Sequence, residues 1–160
     1  LVIRRASPDD ADAIWAIVRG VLAAGDTYAW PTAPTREQGL ALMQPPAGHT
    51  FVAARAGRVV GTYYVKPNAM GPGDHVANCG YMVAPEARGQ GVGEAMCRHS
   101  LDAARGLGFR AMQFNAVVST NLGAIRAWQR CGFAIVGTVP GAFRHPTHGD
   151  VDIHVMHRLL

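Results

Sequence analysis

The spacing of apolar residues in the first quarter of the chain predicts helices. After Ser7-Pro8, apolar residues occupy positions 14, 17, 18, 21 and 22, a spacing that places them on one face of a helix. Ser7-Pro8 is a helix start signal and Gly25 a stop signal. A second, shorter helix is predicted to begin after the cap Thr35. A short apolar segment over residues 1–5 precedes both helices and is predicted as a strand.

The remainder of the chain alternates between β-rich runs and helical patterns. Ala56-Gly57 separates two β-rich runs and predicts a hairpin. A helix is predicted from the glycine-rich segment to about Gly106, another over 121–130, and a Gly/Pro/His loop before the last strand. The order β-α-α-β-β-β-α-β-α-β-β predicts an α/β fold with a mixed sheet flanked by helices. The predicted strands are 1–5, 50–55, 58–65, 76–83, 110–118, 133–139 and 151–159.

Composition narrows the class of protein. The 160 residues are 49% apolar and 16% charged, which predicts one folded domain over 1–160 and argues against a disordered chain. No apolar run reaches the roughly 18 residues that span a bilayer, and the N-terminus lacks a signal-peptide pattern. We therefore expect no membrane association.

Charge and cysteine content exclude further classes. Lys+Arg 15 against Asp+Glu 11 gives a net charge of +4, but the basic residues are scattered and form no stripe with aromatic residues. This argues against nucleic-acid binding and is compatible with a small polyanionic ligand. The three cysteines form no CxxC pair, so we expect free thiols, no metal site and a cytoplasmic location.

The strongest chemical signal is the segment Arg88-Gly89-Gln90-Gly91-Val92-Gly93, which follows a predicted strand and opens a predicted helix. Small residues there let a phosphate group approach the free N–H groups of the helix start. A P-loop is excluded because Glu94-Ala95 stands where Lys-Ser/Thr is required, and the GxGxG spacing excludes a dinucleotide fingerprint. The alternative interpretation is that the glycines only form a tight turn.

Two segments together resemble a known family. Arg88-x-x-Gly91-x-Gly93 is similar to motif A of the GNAT acetyltransferases, and Asn121-x-x-Ala124-x-x-x-Trp128-x-x-x-Gly132-Phe133 is similar to their motif B. The order of elements also matches over nearly the whole chain. The resemblance implies a mostly antiparallel sheet of six to seven strands, splayed between the fourth and fifth strands and flanked by about four helices. It also implies acetyl-CoA as the co-substrate, without a metal.

The resemblance assigns cofactor contacts. The backbones of Met82 and Val83 would bind the pantetheine, and Asn121 would hydrogen-bond the same arm. Trp128 stands where the family commonly has a Tyr that protonates the leaving thiolate. An indole is no acid at neutral pH, so Trp128 would orient the cofactor or only pack in the core. The thiolate proton would then come from water, Ser119 or Thr120, or the nascent ammonium. The diphosphate would be held by Arg88, Gly89, Gln90, Gly91, Val92 and Gly93.

The acceptor side shows asparagines instead of a carboxylate base. His75-Val-x-Asn78 and Phe114-Asn115-x-Val-x-x-Thr-Asn121 resemble the fungal proline-analogue N-acetyltransferases, which acetylate cyclic imino acids such as azetidine-2-carboxylate, and Lys66-Pro-Asn68 also fits this pattern. The resemblance implies that Asn78 and Asn115 bind the amine and carboxylate of the acceptor and that Asn121 serves the thioester. A water held by Asn78 would take the proton. The alternative is that Asn78 and Asn115 cap bulges in the strands.

Three further residues are candidates for the acceptor pocket. Tyr28 and Trp30 would form its wall or else cover the core, and Arg144 would pair with an acceptor carboxylate. We therefore expect an N-acetyltransferase that acts by direct attack of a small-molecule amine, with an amino or imino acid favoured. The alternatives are a catalytically silent CoA-binding regulatory module and a protein N-acetyltransferase. Family members are often dimers, so a homodimer is a further expectation.

Overall fold

The computed structural model describes residues 1–160 and contains one seven-stranded sheet in the order β1-β2-β3-β4-β5-β7-β6. All neighbouring strands are antiparallel except β4 and β5, which are parallel. This confirms the predicted mixed, mostly antiparallel sheet with four helices. The elements are β1 (Val2–Arg5), α1 (Ala11–Ala24), α2 (Arg36–Met43), β2 (His49–Arg55), β3 (Arg58–Pro67), β4 (Val76–Val83), α3 (Val92–Gly106), β5 (Ala111–Val118), α4 (Leu122–Arg130), β6 (Ala134–His145) and β7 (Gly149–Leu159).

An ion pair ties the first strand to the first helix. Both nitrogens of the Arg4 guanidinium donate to the Asp10 carboxylate, at 2.7 and 2.8 Å, and the backbone N–H of Ser7 donates to the same carboxylate. These donors hold the pKa of Asp10 well below its usual range. Gly25, with φ +66°, ends α1 in the left-handed conformation expected of a stop signal. The apolar face predicted for this helix is buried.

The helices cover both faces of the sheet. The helices α1 and α2 pack together, as do α3 and α4. The Tyr63 hydroxyl lies 2.7 Å from the His99 ring on α3, whereas the adjacent Tyr64 points to the other face, as alternation along a strand requires. None of the four helices combines the length and apolar character that a membrane-spanning helix needs.

The sheet opens between its fourth and fifth strands, as predicted. The strands β4 and β5 pair only at Val76 with Ala111 and Ala77 with Met112, and then diverge. We call this point of divergence the fork. The Asn78 side chain spans the fork because its Nδ2 donates to the carbonyl of Gln113 at 3.0 Å. A bulge between Phe114 and Val117 also interrupts the regular pairing of β5 with β7. The fork is therefore the closed end of a cleft between two strands.

The sequence interpretation of the last hairpin is wrong in one respect. The segment after residue 139 was expected to be a loop, but β6 continues to His145 and β7 begins at Gly149. Two register shifts, one on each side of Val139, accommodate the glycines and the proline that indicated a loop. Because β6 is an edge strand, the missing N–H of Pro140 removes no hydrogen bond between two inner strands of the sheet.

Candidate functional site

A cavity of about 790 Å³ occupies the cleft between the two diverging strands. It extends from the fork to the N-terminus of α3. Its walls come from the α1–α2 connection, the end of β3, the inner edges of β4 and β5, the glycine-rich segment before α3, and one side of α4. A half-open cavity with mixed apolar and polar lining at a gap in a sheet is the expected form of a ligand site.

One end of the cavity is built to bind an anion with backbone groups. Gly91 is the N-cap of α3 with φ +77°, and no side chain caps the first N–H groups of the helix. Gly89 also has a left-handed φ, +72°, and a Cβ at either glycine would point into open space. Uncapped amides and the positive end of the helix dipole attract a phosphate here, with Arg88 at the rim. We call residues 88–93 the glycine turn.

Two side chains of this end stabilise the turn itself. Gln90 points away from the cavity: its Nε2 donates to the Glu86 carbonyl at 2.7 Å, and its Oε1 accepts from Arg55. Only the backbone of Gln90 can therefore serve a ligand. Glu94 borders the cavity but accepts hydrogen bonds from Arg98 and Arg130, which lower the pKa of its carboxyl group. Val92 is buried beside the cavity.

The exposed edge of β4 offers backbone groups to the cavity at alternate residues. The N–H of Ala84 donates to the carbonyl of Val60 on β3, and the Tyr28 hydroxyl donates to the Tyr81 carbonyl at 2.7 Å from the other side. Because these directions alternate along an antiparallel strand, Tyr81 and Val83 direct their N–H and C=O groups into the cleft. Met82 directs its backbone groups to β3, so only Val83 of the predicted pair faces the cleft. Sequence reasoning missed Tyr81.

The α4 side contributes one amide and one aromatic ring. The Oδ1 of Asn121 accepts from the N–H of Ala124 at 3.3 Å and caps α4, which leaves its Nδ2 without a partner in the protein. Trp128 borders the cavity while packing against Tyr81 and Phe114, with ring centroids 4.7 and 5.5 Å away. Only 8% of Trp128 is exposed. The indole thus forms part of both the core and the wall.

A chain of amide side chains lies at the fork end. The Gln113 Nε2 donates to the Asn115 Oδ1 at 2.9 Å, and the Asn115 Nδ2 donates to the Asn68 Oδ1 at 2.8 Å. Asn78 joins this chain through the Gln113 carbonyl and accepts a long hydrogen bond, 3.3 Å, from the Tyr64 hydroxyl. We call these residues the amide row: Asn68, Asn78, Gln113 and Asn115.

Titratable groups at the fork end are mostly neutral phenols. Burial raises the pKa of Tyr64 to about 12 and raises the pKa values of Tyr28 and Tyr81 further. Lys66 is placed at this end by its pairing with Asn78, and Asp26, in the α1–α2 connection, also borders the cavity. Sequence reasoning did not assign Asp26 to the cavity, nor Gln113, which does not border the cavity but donates to Asn115. Asp26 lies in a connection without periodicity, whereas the alternation of β-strand residues could have placed Gln113 beside Asn115.

The structure brings most of the predicted site residues to this cavity, with two exceptions: Gln90, whose side chain points away from it, and Arg144. Arg144 lies on β6, is 92% exposed at its side chain, and faces Asp150 at 4.0 Å in the last hairpin. It does not border the cavity, because the predicted loop is a strand. Trp30 does border it, stacked on Tyr28 with ring centroids 4.6 Å apart. The other predicted residues at the cavity are Tyr28, Asn78, Met82, Val83, Arg88, Gly89, Gly91, Val92, Gly93, Asn115, Asn121 and Trp128.

Comparisons with known proteins agree with this geometry. The model of the acetyltransferase (GNAT) family matches residues 15–133. A GCN5-related N-acetyltransferase from Kribbella flavida is 50% identical, with a TM-score of 0.95 over 99% of this chain and 97% of that one. A phosphinothricin acetyltransferase from Sinorhizobium meliloti, solved with acetyl-CoA, shares the fold at 23% identity, with a TM-score of 0.87 over 99% and 88% of the two chains.

A curated relative is similar over part of its length. N-acetyltransferase aca1 from Schizosaccharomyces pombe is 36% identical over 98 residues. The match covers 61% of this chain and 47% of that protein, so the matched segment spans about half of the relative's length.

Proposed function

Because the chain belongs to the acetyltransferase (GNAT) family, we propose that it transfers an acetyl group from acetyl-CoA to the amine of a small amino or imino acid. The observation that carries this proposal is the pair Asn78 and Asn115 of the amide row, which border the cavity at the fork, at the opposite end from the uncapped N-terminus of α3. A cofactor that has a diphosphate at one end and a reactive group at the other matches this arrangement.

The cofactor end fits the diphosphate of acetyl-CoA. Its amides are uncapped, and the space beside Gly89 and Gly91 is open where any side chain would intrude. The backbone edge of Tyr81 and Val83 would bind the amide groups of the arm, and the free Nδ2 of Asn121 would donate to it from α4. When bound, acetyl-CoA supplies the acetyl group as a thioester. The chain's contribution at this end is binding and orientation.

The amide row would orient the acceptor. Each amide side chain carries two donors and an acceptor with two lone pairs. The hydrogen bonds within the row use only part of this capacity, so Asn78 and Asn115 can still bind an amine and a carboxylate. Asn115 is exposed towards the cavity, whereas Asn78 is buried at the fork. The stacked rings of Tyr28 and Trp30 limit this end to a small acceptor.

The residues at the fork act on protons through water instead of through a strong base. The raised pKa values of Tyr28, Tyr64 and Tyr81 keep these phenols neutral, and the Trp128 indole does not ionise at neutral pH. Asn78 retains one N–H and one lone pair: the lone pair can accept from the amine of the acceptor, and the N–H can donate to a water that takes the proton of this amine. Attack is direct, since the cysteine that borders the cavity, Cys79, is buried, and burial raises the pKa of its thiol to about 12.

Acetyl-CoA-dependent thiol release with a panel of acceptors tests the proposal. The panel contains L-azetidine-2-carboxylate, proline, the common amino acids and a peptide with a free N-terminus, with mass spectrometry of the products. We expect acetylated amino or imino acids, and we expect Asn115→Ala to lower their formation. Tight CoA binding without turnover of any acceptor would indicate a regulatory module. Acetylation of the peptide alone would indicate a protein N-acetyltransferase.

A further inference from the structure

We propose that Lys66 binds the carboxylate of the acceptor and thereby selects amino and imino acids over amines that lack a negative charge. This inference rests on the proposed function and adds to it the residue that determines the substrate class. It replaces Arg144, which the structure places outside the cavity.

The strand register places Lys66 at the fork. Along β3, Gly61 pairs with Val83 near the glycine turn, and Lys66 pairs with Asn78 at the fork. These five residues separate the two ends by roughly 17 Å of strand. Paired residues of antiparallel strands share a face, so the Lys66 side chain lies beside Asn78 and on the same face as Tyr64. Lys66 is therefore adjacent to the amide row.

The ammonium of Lys66 has no counter-ion in the protein. Lys66 is half-buried and borders the cavity, yet none of the seven ion pairs of the structure includes it. A partly desolvated charge without a partner is unfavourable. An anionic group of the acceptor would supply the missing partner.

The other cations that border the cavity lie on the glycine turn or on α4. Arg88 follows the strand end at the glycine turn, Arg126 lies on α4, and Arg130 is paired with Glu94 at the start of α3. The two ends thus carry separate positive groups, one suited to the diphosphate and one suited to a carboxylate. Asp26 also borders the cavity but forms no ion pair with Lys66, so a cationic acceptor such as a polyamine would still be opposed by the unpaired ammonium beside Asn78.

A matched pair of acceptors isolates the interaction. L-azetidine-2-carboxylate and its carboxamide have the same ring and amine but differ in charge. For the carboxylate, we expect Lys66→Met to raise KM by about 10- to 100-fold, the value of one hydrogen bond to a charged group. The kcat/KM for the carboxamide should stay within about twofold, because the carboxamide has no negative charge for Lys66 to bind. Lys66→Arg should restore most of the affinity for the carboxylate.

Arg19→Met is the matched control variant. Arg19 is exposed on α1 and does not border the cavity, so this change removes the same formal charge without touching the site. Its KM for the carboxylate should equal that of the unmodified protein. Titration calorimetry of L-azetidine-2-carboxylate into the CoA complex provides a second measurement that does not depend on turnover.

The outcomes separate this inference from the proposed function. Equal effects of Lys66→Met on both acceptors, or no effect, would overturn the assignment of Lys66 while acetyl transfer stands. An unmodified protein that prefers the carboxamide would also overturn it. Binding of the carboxylate that depends on Lys66, without turnover of any acceptor, would overturn the proposed function and retain the anion site. Absence of both binding and turnover would overturn both.

Discussion

The two ends of the cavity are built in opposite ways. The cofactor end consists of consecutive residues, 88–93, whose backbone N–H groups face the ligand. The fork end consists of side chains from β3, β4, β5 and the connection after α1, which are far apart in sequence. A backbone cradle needs only small residues and a helix start, whereas a side-chain site depends on the register of several strands.

Because of this difference, we expect the two ends of the cavity to have separate functions. Backbone amides and a helix dipole bind any molecule with the same diphosphate, so the cofactor end should determine affinity for CoA. In the proposed function, the amide row and Lys66 bind the acceptor, so the fork end should determine turnover and acceptor choice. Substitutions at one end should therefore change one measurement and leave the other unchanged.

The largest effect is expected at Gly91. Gly91→Val places a β-branched residue at φ +77° and fills the open space where a diphosphate would approach the amides. We expect the Kd for CoA, measured by calorimetry, to rise at least about 100-fold, since several charge-assisted hydrogen bonds are lost together. Strain should also lower the free energy of unfolding by about 1–2 kcal/mol.

Gly108→Val separates strain from binding. Gly108 follows the other end of α3, also has a left-handed φ, +88°, and also faces open space. It should lose similar stability in chemical denaturation and keep the Kd for CoA. Equal loss of CoA affinity in both variants would show that strain in α3, and not access to its N-terminus, explains the result at Gly91.

The next largest effect is expected for turnover in Asn115→Ala. Asn115 is exposed, so stability should change by no more than about 0.5 kcal/mol. Loss of its hydrogen bonds to the acceptor should lower kcat/KM by about 10- to 100-fold, while the Kd for CoA stays unchanged. Asn68→Ala removes only the partner that positions Asn115 and should have a smaller effect. Unchanged turnover in Asn115→Ala would remove this residue from the site.

The same contrast explains how much of the molecule could be predicted. Residue periodicity and spacing identify the features that depend only on neighbours in sequence. These are the helix face that begins at Ile14, the start of α3 and the turn before it. The fork followed from the family resemblance, and the pairing of β4 with β5 at only two positions confirms it. Local patterns therefore carry the fold and the cofactor end.

The parts that could not be predicted depend on strand register. The backbone groups of Tyr81 face the cleft and those of Met82 do not, because β3 forms hydrogen bonds with alternate residues of β4, and no local sequence pattern shows which residues these are. The grouping of Lys66 beside Asn78 depends on the same register. Arg144 was misplaced because Pro140 and Gly141 indicate a loop, whereas bulges let β6 continue through them.

A moderate effect is expected at Asn121, where helix capping and cofactor binding can be separated. Serine retains an oxygen for the N–H of Ala124 but lacks the Nδ2 group, whereas alanine lacks both. Both variants should raise the KM for acetyl-CoA by about 5- to 10-fold, the value of one hydrogen bond. Only Asn121→Ala should also lower the free energy of unfolding, by about 1 kcal/mol. A raised KM in the alanine variant alone would restrict Asn121 to capping.

The smallest effect on turnover is expected for Tyr64→Phe. The hydroxyl of Tyr64 donates to Asn78 over 3.3 Å, a long hydrogen bond between neutral groups, so kcat/KM should fall only about two- to threefold. A loss as large as that of Asn115→Ala would mean that turnover depends on this contact of Asn78 as much as on the acceptor contacts of Asn115.

The pH dependence of stability tests the environment of the same hydroxyl. Burial raises the pKa of Tyr64 to about 12, above the value of about 10 in an unfolded chain. The contribution of the neutral Tyr64 hydroxyl to folding stability is therefore fully present below pH 10. It is lost as the pH rises towards 12, because Tyr64 loses its proton at a lower pH in the unfolded state than in the folded state. In denaturant titrations between pH 10 and 12, Tyr64→Phe should lose less stability per pH unit than the unmodified protein, by up to about 1.4 kcal/mol. Equal slopes would show that the hydroxyl is solvated in the folded protein, and a solvated hydroxyl could not hold Asn78 at the closed end of the cleft.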